Sequence, residues 1–150
     1  MFNIYEGDYG MSVRKNEQSV SRFNTLDIIL KLVSYTCNIL ANEKIFIPRY
    51  QKFIDKMAEE TCLIYHKCRV ANKIDMRVDG GLLFEQRATQ RLNLEREALV
   101  LCEDLHSDIM ISQKLFHLKA SRVRYWTKLT VEAQNAIGAW YKSEIKRYRP

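Results

Sequence analysis

Very little in this chain can interrupt a helix. Its 150 residues include only five glycines and two prolines, and no stretch shows the period-two alternation of a half-buried strand. No run approaches the roughly 18 consecutive apolar residues of a membrane span. The opening MFNIYEGDYGMSVRKNEQ also lacks the apolar region that follows the positive residues of a secretory leader. A soluble, cytoplasmic protein with no membrane partner is expected. Cys37, Cys62, Cys68 and Cys102 form no C-x-x-C pair and sit among apolar neighbours, where a reduced cysteine behaves as a small hydrophobe.

Catalytic signatures are equally scarce. There is no glycine-rich phosphate loop, no nucleophile elbow and no dinucleotide fingerprint. A di-metal bundle needs two Glu-x-x-His pairs and a lone Glu on each of the other two helices; Glu103-x-x-His106 occurs once. Cys62 with His66 and Cys102 with His106 each share a helical face at i, i+4, but would make a zinc site only if the two pairs met. The sequence reads as a non-enzyme without cofactor or metal.

What the chain does have is helical periodicity and an uneven charge. At 47% apolar residues it can bury the core of one ordinary domain. The pattern predicts an irregular arm over residues 1–23 and a four-helix bundle over residues 24–150 with a basic end. Asn24 can cap the first helix, with Asp27 near its positive end and Phe23 stapled on Ile28; Leu26, Leu30, Val33, Cys37 and Leu40 form its seam. Pro48, suited to a first helical position, opens a second helix to about Asn72, carrying Tyr50, Ile54, Met57, Thr61, Ile64, Cys68 and Ala71. Asp79-Gly80-Gly81 breaks the pattern. A third helix follows from Leu82 to Asp108, and a fourth starts at Ser112 as N-cap, with Ile111 stapled on Phe116. Four long helices with short links make an all-α, antiparallel up-down four-helix bundle.

From Ser112 onward nine basic residues face two acidic ones, a net +7; the whole chain carries +6, which leaves −1 for the remainder. Such asymmetry suits a surface that meets phosphates. The candidate nucleic-acid-binding residues are Lys119, Arg122, Arg124, Lys128, Lys142, Lys146, Arg147 and Arg149. Tyr141 and Tyr148, interleaved with them, offer rings for exposed bases, or alternatively pack on the protein. Lys52, Lys56, Lys67, Arg87 and Arg91 form a second, weaker basic group. Gly138 lies inside the last helix, where glycine costs roughly 1 kcal/mol relative to alanine. With Ala139 beside Trp140, it predicts close packing of a helix, within the bundle or between subunits.

Three segments together resemble a known family: EKIFIPRYQKFI (43–54), QRATQRLNLEREAL (86–99) and AIGAWYKS (136–143). They are similar to the accessory variability determinant (Avd) proteins of diversity-generating retroelements, part of a wider bacterial four-helix-bundle family that includes proteins encoded in intervening sequences of 23S ribosomal RNA genes. The likeness spans about residues 26–146; Ile47-Pro48-Arg49 and Gly138-Ala139-Trp140 are its more specific elements. This chain departs from the family's usual pattern at Ala139 and Ile47. The resemblance implies a homopentameric barrel with a basic exterior that binds the retroelement's reverse transcriptase, template RNA and cDNA in support of mutagenic reverse transcription. Two other readings stay open at the sequence level. One is a general RNA-binding bundle of the intervening-sequence kind; the other is an oligomeric adaptor that binds no nucleic acid.

Overall fold

The computed structural model describes residues 15–78 and 80–149, with side chains from residue 24 onward. Among these residues there are four α-helices and no strand: α1 (Lys15–Leu40), α2 (Gln51–Lys73), α3 (Gly81–Leu115) and α4 (Ala120–Tyr148), with one 3-10 turn at Pro48–Tyr50 ahead of α2. Each helix packs on its sequence neighbours and α1 closes against α4, the ring order of an up-down four-helix bundle. Ion pairs between α2 and α3 fit the antiparallel sense: Lys56 pairs with Asp108 while Lys67 pairs with Glu97.

Two expected helix starts are displaced. The first helix begins at Lys15, so the expected arm is helical from residue 15 to 23, and Asn24 lies inside the helix instead of capping it. Residues 1–14 and the Phe23 side chain lie outside the described set. The seam of α1 is also turned by about one residue: Ile29, Leu32, Thr36 and Leu40 are buried, while Leu30 is 42% exposed. Two polar members, Thr25 and Thr36, disguise the seam in sequence.

Likewise α3 runs on to Leu115, and Ser112 is a buried interior residue whose hydroxyl donates to Met57 Sδ at 3.2 Å. The break falls at His117, which takes a left-handed φ of 53°. Around it the Phe116 N–H donates to the Ser112 carbonyl (2.9 Å) and the Leu118 N–H to the Gln113 carbonyl (3.3 Å). That 6→1 bond over a left-handed residue is a Schellman ending, built here without glycine. Phe116 and Leu118 on either side are buried and hold the turn down.

The second helix opens as expected. Pro48 stands at the first position of the 3-10 turn after extended Ile47, and α2 ends at Lys73. Its line Ile54, Met57, Thr61, Ile64, Cys68 and Ala71 is buried. Between α1 and α2 the Asn42 carbonyl accepts both the Ile45 and Phe46 N–H groups, which turns the Phe46 ring into the bundle. Phe46 then meets Phe116 at 4.7 Å and Trp126 at 6.2 Å between centroids, and Tyr50 meets Phe116 at 5.6 Å. Aromatic rings thus close this end of the bundle. The opposite end is closed by charge.

Candidate nucleic-acid interface

At the charged end Arg91 of α3 is almost entirely buried, and so are Glu95 and Glu144. Arg91 donates Nε and Nη2 to the two oxygens of Glu144, each at 2.6 Å, and Nη1 to the Ala71 and Ile74 carbonyls at 3.0 Å. One guanidinium thus joins α3 to α4 and caps the last carbonyls of α2, where a cation also suits the helix dipole. Burial opposes its charge, but the Glu144 carboxylate outweighs that and drives the Arg91 pKa upward. Trp140 Nε1 donates to Glu144 Oε2 at 2.7 Å, and the Arg91 guanidinium lies 5.8 Å from the Trp140 ring and 6.0 Å from the Tyr148 ring.

This network reassigns three candidates. Arg91, grouped above with possible phosphate ligands, is a structural residue. Tyr148 is buried beneath Arg91 and beside Phe84 (5.8 Å), so it packs on the protein and offers no platform for a base. Arg149 is engaged by Glu85 and Thr89 of α3.

The remaining cations of α4 are arranged differently. Arg124, Lys128, Lys142 and Lys146 are exposed and fall at helical spacings that set them on one outward line, with Val131, Asn135 and Gly138 between them. None forms an ion pair with a described side chain. Lys119 is exposed just before the helix. Arg122 is half-buried and acts electrostatically on Tyr35 of α1. Arg147 is half-buried, 5.8 Å from the Tyr148 ring.

Of the second basic group, Lys52 is exposed and makes no ion pair with a described side chain, but the others are engaged. Lys56 binds Asp108 at 2.5 Å and Glu60 at 3.0 Å, Lys67 binds Glu97 at 2.9 Å, and Arg87 donates to the Asp75 carbonyl at 2.7 Å. The sequence marks the C-terminal group as the richer one, but only the cross-helix register decides which individual cation finds an acid.

Gly138 answers to the same geometry. A Cβ placed there would meet nothing within 4 Å, so no other part of the described chain packs closely on it. The expected helix contact is therefore not made inside the bundle. The residue leaves bare backbone on the outward line of cations, and the neighbouring Trp140 is held by Glu144 instead.

The Lys56 site carries a pH prediction. Glu60 and Asp108 are both nearly buried and share one ammonium, and burial, followed by hydrogen bonding to Asp108, pushes the Glu60 carboxyl from 4.5 up to about 7. Between those values the folded chain holds a proton that the unfolded chain has released. This contribution to stability is therefore full below pH 4.5 and lost as pH rises through about 7. Urea unfolding should show stability falling by roughly 1–3 kcal/mol from pH 5 to pH 8. Glu60→Gln, which stays neutral, should flatten that dependence, and a wild-type profile as flat as that of the variant would refute the shared proton.

Among the described residues no three His, Cys, Asp or Glu side chains are grouped to hold a metal. The imagined Cys62/His66 and Cys102/His106 quartet does not assemble, because Cys102 neighbours Cys68, and Cys62 neighbours Cys37. Burial raises the Cys102 thiol to about 12 and Cys68 higher still, which keeps both protonated and unreactive. Among the described residues no helix is long and apolar enough to cross a membrane. Comparison with protein-family models, curated proteins and solved structures gives no match to this chain.

Proposed function

We propose that this bundle is a non-enzymatic accessory protein of a diversity-generating retroelement, binding nucleic acid through the outer face of α4 while it serves the element's reverse transcriptase. The observation that carries the nucleic-acid part is the row Arg124, Lys128, Lys142 and Lys146. These are exposed cations without ion-pair partners among the described residues, in a chain whose Lys56, Lys67 and Arg87 are neutralised or engaged across the bundle. Four such charges on one rigid helix gain counterion-release free energy from any phosphate backbone, independent of sequence. The reverse transcriptase, template RNA and cDNA as partners rest on the resemblance carried by residues 43–54, 86–99 and 136–143.

Self-assembly into a homopentamer belongs to the same proposal. Leu63 and Val70 of α2 and Val100 and Ile111 of α3 are 37–56% exposed, and apolar surface of this kind serves as interface.

The test is the variant with Arg124, Lys128, Lys142 and Lys146 all changed to Gln, which keeps helix propensity close to that of Arg and Lys. Binding of a labelled RNA hairpin should weaken at least tenfold near 0.1 M salt, and the slope of log affinity against log salt should flatten by about 0.7–0.9 for each phosphate no longer engaged. A folded quadruple variant with the wild-type slope would place the surface elsewhere. Light scattering on the wild-type protein should give five chains, and a monomer at micromolar concentration would remove the assembly claim. Co-purification of a reverse transcriptase with the protein from its native cells tests the partner directly.

A further inference from the structure

The four outward cations of α4 lie on one straight helix, and from Arg124 to Lys146 the row extends about 33 Å at 1.5 Å per residue. That is close to the roughly 34–36 Å of one duplex turn. No ring of the same helix stands on the row itself: Tyr141, half-buried, lies on a flank about 100° round the helix from Lys142. Trp126 is fully buried and Tyr148 nearly so. Trp140 is half-buried, with its N–H on Glu144 and Arg91 near its face. Tyr125, the most exposed aromatic of α4, stands on the flank toward α1 with its ring against Tyr35 at 4.9 Å. Single-strand binders draw much of their affinity from bases stacked on exposed rings, and along this row the structure offers charge without a stacking surface. Gly138, with nothing within 4 Å of its Cβ position, keeps the middle of the row low.

We infer that the α4 row takes the phosphate backbone of a double-helical nucleic acid in preference to a single strand. The inference rests on the nucleic-acid reading above and narrows its ligand. A site that reads only phosphates favours the ligand with the higher charge density, and a duplex carries one charge per about 1.7 Å of axis. A rigid row also matches a rigid backbone, whereas a flexible strand must be ordered before it can touch all four cations. With four phosphates engaged, slopes of about −0.9 each for a duplex and −0.7 each for a single strand differ by about 0.8 in total. If the two affinities converge near 1 M salt, as purely ionic binding requires, the duplex is favoured about sixfold at 0.1 M.

The experiment is fluorescence anisotropy on the full chain with three labelled probes of equal length: an RNA duplex, an RNA–DNA hybrid duplex and a single-stranded RNA without self-complementarity. Each is titrated between about 0.1 and 1 M salt. Both duplexes should bind about sixfold tighter at the low end and lose that advantage at the high end. Tyr125→Ala and Tyr141→Ala should each leave all three affinities within about twofold, whereas loss of a stacking platform costs on the order of tenfold or more. Single-strand binding equal to or tighter than duplex binding, or a loss confined to the single strand in either variant, would overturn the inference and leave the nucleic-acid reading standing. No binding to any probe would overturn both.

Discussion

Arg91→Ala is expected to destabilise the fold by about 3–5 kcal/mol, because it strands the buried Glu144 carboxylate without its partner. The guanidinium supplies both oxygens of Glu144 and two α2-end carbonyls from one position with 1% exposure. Its removal therefore unsatisfies a charge and a helix end together. For a domain of this size, a loss that large should lower the melting temperature by roughly 10 °C or more. Replacing the pair by Arg91→Met with Glu144→Leu should recover only part of the loss, since it removes the stranded Glu144 charge while the Ala71 and Ile74 carbonyls still lack the guanidinium, Glu95 loses its neighbour at 3.9 Å and Trp140 loses its acceptor. A single Arg91→Ala variant that melts like wild type would show that this end of the bundle is held by something other than the ion pair.

The second large effect is expected at the opposite end. Trp126 is fully buried, and its indole donates to Thr36 Oγ1 at 2.9 Å across the α1–α4 seam. Trp126→Ala should cost about 3–5 kcal/mol through the apolar surface it no longer buries and the cavity left among Phe46 and Tyr35. Thr36→Val should cost about 1–3 kcal/mol even though it is nearly isosteric, because it leaves the indole N–H buried without an acceptor. The Trp126 and Arg91 sites stand some 27 Å apart, judged from the roughly 18 residues of α4 between Trp126 and Glu144. Their effects should therefore add within about 0.5 kcal/mol. Strong non-additivity in urea unfolding would indicate that the two ends do not act independently.

These two residues were unequally visible in the sequence. Trp126 falls on the apolar line of its helix and reads as core; Arg91 does not. A buried arginine is recognisable only through its partners, and Glu144 lies 53 positions away on another helix. The same distance hid the meaning of Tyr148, which looks like a ring among cations until Arg91 is found above it. No local pattern marks such a pair, because the sequence of each helix reports only which residues share a face.

Composition and periodicity by themselves determined that this chain is built from helices, four of them in an up-down bundle. They also located the Pro48 start and the Gly80-Gly81 break, since helix propensity and apolar spacing are properties of contiguous residues. The concentration of positive charge after Ser112 was equally plain. Tertiary structure alone decided where α3 stops, which seam of α1 is buried and which cations find ion pairs. His117 ends α3 in a left-handed turn because the flanking Phe116 and Leu118 are buried on both sides, an energy no turn residue advertises. Thr36 belongs to the core because Trp126 supplies a donor from across the bundle. Lys56 and Lys67 are neutralised while Lys128 and Lys142 are not because antiparallel register sets acids opposite the first pair and solvent opposite the second. Cross-helix register is fixed by packing of whole faces, so its electrostatic consequences exist only once the chain has folded.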